Sequence, residues 1–285
     1  MSTATRFLLA AAMLSATAMP APALTRPASD TAFTAAALPD TAVTTKFDVD
    51  GVTVILRRNT ANEVVAANLY LLGGARQVTP ANAGIEALLL LASERGTRKF
   101  PGATVRQRTA TLGSTISIEA NDDWSAIGLH AIRGTFDSTW AILADRVMAP
   151  MLSPGEVEIA RDQLIAGARQ RATHPDNAAE ELADSLLYQQ HPYAIEATGT
   201  PTSLASITVP QLRAYHAQQF VTSRMLLVVV GNVDRADVER LVRGTIATLP
   251  RGSYKWTPPP PTAATGRALA IENRSIPTNY VLGYV

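Results

Sequence analysis

Side chains able to carry acid–base, nucleophilic or metal chemistry are sparse in this chain of 285 residues. It contains no cysteine, which excludes thiol catalysis, thiolate metal sites and disulfides. Its four histidines are His130, His174, His191 and His216. They form no i, i+3 or i+4 pair, and each reads as a turn or surface residue. No Gly-rich phosphate loop and no nucleophile elbow occurs. The stretch Ala83-Gly84-Ile85-Glu86-Ala87-Leu88-Leu89-Leu90-Leu91-Ala92-Ser93-Glu94-Arg95-Gly96-Thr97 reads as a helix closed by glycine. On such a helix, two imidazoles at i and i+4 share a face and can hold zinc, and a Glu between them can take the proton of zinc-bound water. Ala87 and Leu91 have that spacing but offer no lone pair, and Leu90 accepts no proton. Glu86 is the nearest carboxylate, yet it stands one residue early and points about 100° away. Leu88 to Leu91 therefore reads as a core helix, apolar all round.

The elements that would position this helix follow from patterning. Phe47 to Arg57 alternates around Asp50-Gly51, which predicts a tight hairpin with a primed turn. Val64 to Leu72 is an apolar strand ending in Gly73-Gly74. Thr104 to Thr111 is a polar-faced helix, Thr115 to Ala120 a half-buried strand, and Trp124 to Ile132 its return. Thr135 to Met148 turns Phe136, Trp140, Leu143 and Val147 to one side of a helix. Ser153, Pro154 and Glu156 form a capping-box pattern that starts a helix running to Thr173. Helices are expected over 177–188, from Thr208 to about Gln219 and over 236–248, with a core strand at 224–230.

Composition is 47% hydrophobic and 17% charged with a net charge of +1, which fits a packed globule with no steering toward nucleic acid. Arg6, the apolar run Phe7 to Met13 and two small-x-small sites, Ala16-Thr17-Ala18 and Ala21-Pro22-Ala23, read as an export signal over 1–23. An Ala-rich leader without that role is the alternative. A flexible lead-in over 24–43, a main domain over 44–252 and a Pro-rich linker over 253–266 follow. Leu269 to Glu272 and Asn279 to Val285 have strand character, so 267–285 reads as the start of a second, truncated domain. No membrane span is expected, and the periplasm is the expected compartment.

The frame of the 83–97 stretch resembles the zinc helix of the M16 metallopeptidase family, that of insulinase, pitrilysin and mitochondrial processing peptidase. There the helix carries His-x-x-Glu-His, opened by a Gly three residues earlier and closed by Gly-Thr. Gly84 and Gly96-Thr97 keep that frame. Gly73-Gly74-Ala75-Arg76, His191-Pro192-Tyr193 with Gly199-Thr200, and Gly231-Asn232-Val233-Asp234 resemble further family segments in the same order. The resemblance implies an α+β fold, a mixed and mainly antiparallel sheet with helices over one face and part of the edge. It implies that Ala87, Leu90 and Leu91 replace the first His, the Glu and the second His. The family's last zinc ligand, a Glu on a later helix, falls on Gly167, or on Ala168 if the register shifts by one. No catalytic residue, no metal ligand and no bound zinc are expected here, although active relatives use zinc.

Three functions stay open on this basis. The first is a non-catalytic subunit that pairs with a zinc-bearing M16 relative to close a peptide-degrading clamshell. The second is a stand-alone peptide-binding or scaffold module. The third is a zinc endopeptidase with unorthodox ligands. Peptide would bind along the strand Thr115, Ile116, Ser117, Ile118, Glu119 and Ala120, because an unpaired edge offers backbone donors and acceptors at the strand repeat. An ordinary hairpin of the sheet is the alternative for this pair.

Overall fold

A computed structural model describes residues 43–262, 268–275 and 278–283. The export signal read at 1–23 and the lead-in up to residue 42 lie outside them. Six strands build the sheet: β1 (Val43–Val49), β2 (Val52–Arg58), β3 (Val64–Leu72), β4 (Thr115–Ala120), β5 (Trp124–Ile132) and β6 (Met225–Gly231). Their spatial order is β1-β2-β6-β3-β5-β4, and every pair is antiparallel except β2 with β6. The β1–β2 hairpin turns on Asp50 (φ 51°) and Gly51 (φ 95°), the two left-handed residues that a primed turn requires.

Helices α1 (Ile85–Ser93), α2 (Thr104–Thr111), α3 (Arg133–Met148), α4 (Pro154–Thr173), α5 (Pro175–Leu187), α6 (Pro201–Ser206), α7 (Val209–Gln219) and α8 (Arg235–Arg243) complete the described fold. Strand alternation decides which sheet face they cover. Val65, Ala67, Leu69 and Leu71 of β3 and Leu227 and Val229 of β6 are buried, whereas the residues between them are half-buried or exposed. The core joins this face to Leu88 and Leu89 of α1 and to Phe136, Trp140, Leu143 and Val147 of α3. The fold is thus the mixed, mainly antiparallel α+β architecture expected from the sequence.

Close backbone approach ties α1 to the loop before α6. Gly84 caps α1 at φ 83°, and a Cβ there would stand 2.6 Å from the Cα of Gly199. Both glycines of the resembling segments are therefore needed at one crossing, where a side chain on either would collide with backbone. Ser203 on α6 adds an Oγ–H donated to the Ala83 carbonyl at 2.9 Å.

Three expectations need correction. Ser153 caps α4 without a side-chain hydrogen bond, and the Glu156 side chain forms an ion pair with Arg95 at 3.4 Å instead of closing the capping box. The helix expected over 236–248 ends at Arg243, and a 3-10 turn at Ile246–Thr248 follows Gly244. Thr245, at φ −136° and ψ −106°, leaves helical geometry beyond Gly244, and its Oγ accepts from the Trp140 Nε1–H at 3.1 Å. The described parts of Leu269–Glu272 and Asn279–Val285 form no strand. No neighbouring strand pairs with them, and Leu269, Ile271 and Val281 stay exposed. Among the described residues, no helix is long and apolar enough to cross a membrane.

Candidate functional site

Helix α1 packs against β4, β5, α3, α4 and α7, so it lies at the centre of the described domain. Ala87 is 3% exposed and Leu90 1%, while Leu91 is half-buried against the core. Gly167 sits on α4, and a Cβ added there would meet nothing within 4 Å. Helices α1 and α4, which the resemblance assigns to the zinc ligands, are packed neighbours. The four positions nonetheless offer only hydrocarbon or hydrogen, a donor set that does not fit a zinc ion. Among the described residues, no group of three or more His, Cys, Asp or Glu is placed to hold a metal.

Glu86 has a different task. Its Oε2 accepts from the Tyr215 hydroxyl at 2.7 Å and from Arg224 Nη1 at 3.1 Å, and its Oε1 accepts from Arg224 Nη2 at 3.4 Å. Arg224, 1% exposed, also donates through Nε to the Leu72 carbonyl at 2.8 Å and through Nη1 to the Gln219 carbonyl at 3.1 Å. Burial raises the Tyr215 hydroxyl pKa well above the ordinary phenol value, with the Glu86 charge adding to it. Charge on Glu86 therefore neutralises a buried guanidinium and joins α1, α7 and the 3-10 turn Thr222–Arg224 that leads into β6. Patterning missed this triad. Its signal was a charge at the head of the apolar run Met225 to Val230 and a second inside the apolar α1.

Strand β4 is the sheet's outer strand beyond β5, and α1 lies against it. Ile116, Ile118 and Ala120 are half-buried, whereas Thr115, Ser117 and Glu119 are exposed. The Asn121 N–H donates to the Trp124 carbonyl at 2.9 Å. Alternation of an antiparallel ladder then pairs Glu119, Ser117 and Thr115 with β5 and leaves the N–H and C=O groups of Ile116, Ile118 and Ala120 on the outer edge. The expected binding strand is thus an edge strand placed beside the helix of interest.

The histidines divide into two kinds. His130 and His174 are exposed, as expected; His191 is buried and His216 half-buried, with Nε2 2.7 Å from the Val147 carbonyl. Burial lowers the His216 pKa. His191 Nδ1 accepts from the Tyr193 N–H at 3.1 Å, so Nε2 carries the proton donated to the Pro260 carbonyl at 2.8 Å. Arg76 Nη2 donates to the Thr257 carbonyl at 2.7 Å, and the Tyr254 N–H donates to Ser223 Oγ at 3.1 Å. The Pro-rich segment is thereby strapped along the domain from Tyr254 to Pro260. Beneath it, Tyr193 donates its hydroxyl to Asp123 at 2.7 Å, and burial followed by that bond pushes its pKa up to about 12. Asp122 is pushed up to about 6, mainly by burial, then by the charges of Asp123, Glu196 and Asp184.

Comparison with known proteins places these features in context. Residues 53–201 match the family profile described as insulinase (peptidase family M16), and residues 206–284 match that of the peptidase M16 inactive domain. An uncharacterized zinc protease of Mycobacterium leprae is 25% identical over 184 residues, covering 62% of this chain and 41% of that protein. The peptidase M16 inactive domain from Pseudomonas fluorescens superposes with a TM-score of 0.70 at 22% identity, over 76% of this chain and 54% of that one. The first half of the periplasmic protease PqqL from Escherichia coli gives a TM-score of 0.68 at 17% identity, over 77% and 49%. At these identities the two structures speak for the fold alone. The chain spans about half the length of the proteins it matches.

Proposed function

Since the chain belongs to the M16 (insulinase) peptidase family, we propose that it is a non-catalytic member that grips peptide and pairs with a zinc-bearing relative in a peptide-degrading clamshell. One observation carries this reading. The positions that the resemblance assigns to zinc ligands and general base hold Ala87, Leu90, Leu91 and Gly167, and the adjacent carboxylate, Glu86, is locked to Arg224 and Tyr215. A metallopeptidase needs nitrogen or oxygen donors and a free base at those places. What persists is the frame around them and the open edge of β4, which supports peptide capture by strand addition. Residues 267–285 are read as opening a second domain of the same kind. The export-signal pattern read at 1–23, together with the printed description of PqqL as periplasmic, supports a periplasmic location.

The test is metal and activity analysis of the purified full chain. After equilibration with zinc and desalting, the expected content is far below one zinc per chain, with no hydrolysis of quenched fluorescent peptides. Mixing with a zinc-bearing M16 relative from the same cell is expected to yield a complex and peptide cleavage. Stoichiometric zinc, removable by chelator with loss of the chain's own activity, would sink the proposal. Peptide binding without any such complex would favour the stand-alone binding module.

A further inference from the structure

A pocket of about 230 Å³ opens beside the start of the β4 edge, between Ser114 and Ile116 on one side and Arg106 and Thr109 of α2 on the other. Glu94, just past the end of α1, and Arg146 of α3 complete its wall. Arg146 is 1% exposed and only partly satisfied. Its Nε donates to Ser93 Oγ at 3.1 Å and its Nη2 to the Leu90 carbonyl at 3.2 Å, with Glu94 3.9 Å from Nη2. Nη1 has no partner among the described residues. It is not a sealed, unsatisfied atom either, because no buried side-chain nitrogen or oxygen lacks a bond. Nη1 is therefore the arm with bonding capacity left at the pocket wall, although Arg146 as a whole presents only 1% of its surface.

We propose that this pocket binds a carboxylate of the captured peptide, seating it on Arg146 Nη1 while the peptide backbone adds to β4. The proposal rests on peptide capture at that edge. In an added strand every second side chain points to the same side as Ile116 and Ile118, the side on which the pocket lies. Two cations, Arg106 and Arg146, face the space against one anion, Glu94. Burial lowers the Arg146 pKa to about 10, with Glu94 only partly offsetting it, so this guanidinium is short of anionic company. A planar fork with one free N–H-bearing arm suits a carboxylate better than an amide, which brings no charge. The carboxylate can come from an Asp or Glu side chain or from the peptide's C-terminus.

Binding is measured by fluorescence anisotropy with labelled nine-residue peptides of alternating Val and Thr, flanked by Lys and capped at both ends. Single Glu or Gln residues are placed at each position, and a further set leaves the C-terminus uncapped. The expected result is one register in which Glu binds about tenfold to a hundredfold tighter than Gln, the range of a hydrogen bond to a charged group. An uncapped peptide that gains similarly when its end reaches the pocket identifies the terminal carboxylate as the source. The preference should survive 0.5 M salt, since a buried guanidinium is poorly screened, and should persist in Arg106→Ala. It should vanish in Arg146→Met and in Ala110→Trp, which fills the pocket from its exposed wall without touching the core, while Gln peptides still bind. Equal binding of Glu and Gln peptides overturns the inference and leaves strand addition standing. Preference retained in both pocket variants overturns it too, and absence of binding by any peptide overturns both.

Discussion

Glu86→Gln isolates the claim that this carboxylate is structural. The substitution keeps shape and one acceptor for the Tyr215 hydroxyl but removes the charge facing Arg224, whose side chain is 1% exposed. Removing one partner of a buried ion pair costs about 3–5 kcal/mol. Arg224 retains the carbonyls of Leu72 and Gln219 and the Gln219 side chain, which places the expected loss at the low end, about 3 kcal/mol. For a domain of this size that corresponds to a Tm lowered by about 6–12 °C. Urea denaturation and a thermal melt of the full chain measure it. The double variant Glu86→Gln/Arg224→Met removes the stranded cation as well, so its loss should fall at least about 1 kcal/mol short of the sum of the single losses. Added zinc should raise the Tm of neither wild type nor variant. A loss below about 1 kcal/mol, or zinc stabilisation present in wild type and absent in Glu86→Gln, would refute the structural assignment.

Four further outcomes follow from the same coordinates. Ala120→Pro deletes an N–H that faces the open edge and leaves the β5 ladder intact; it should weaken peptide binding about five- to tenfold by anisotropy with little change in Tm. Ala87→His forces an imidazole into a site only 3% exposed and should cost about 1–3 kcal/mol in urea titrations without creating zinc affinity. The Asp122 pKa is raised in the fold from 3.8 to about 6, so the folded state holds more protons than the unfolded chain in that interval and stability falls as pH rises from about 4 to 6. Asp122→Asn should flatten that decline and stabilise the chain above pH 6, by up to about 1 kcal/mol after solvent screening, as read from Tm against pH. Arg76→Ala with His191→Ala should free the Tyr254–Pro260 strap, speeding tryptic cleavage at Lys255 about tenfold or more, as two lost hydrogen bonds require.

Much of the scaffold was already written in local pattern. The bounds of β3 (Val64–Leu72), β5 (Trp124–Ile132) and α4 (Pro154–Thr173) agree with the alternation, turn residues and proline start read from the chain. Such signals are local, because side-chain direction repeats every two residues in a strand and every 3.6 in a helix. The frame of Gly84, Gly96-Thr97 and Gly199-Thr200 was legible for a related reason, since two of these glycines meet where no Cβ fits. Local signals failed wherever a distant group competed. Glu156 pairs with Arg95 rather than with its own cap, Thr245 turns out of the helix beside Trp140, and the described tail residues have strand composition but pair with no described strand.

Amino-acid identity alone settled that Ala87, Leu90, Leu91 and Gly167 carry no side-chain donor, a matter of covalent chemistry that no folding can change. Only the assembled chain decided what the remaining polar groups do. Glu86 and Arg224 are 138 residues apart, and each segment shows only a lone charge in an apolar run without naming its partner. The outer place of β4 and the position of Arg146 at a pocket wall likewise depend on which strand and which helix end up alongside. Burial makes a charge seek its counterpart, and burial exists only once distant segments have packed together.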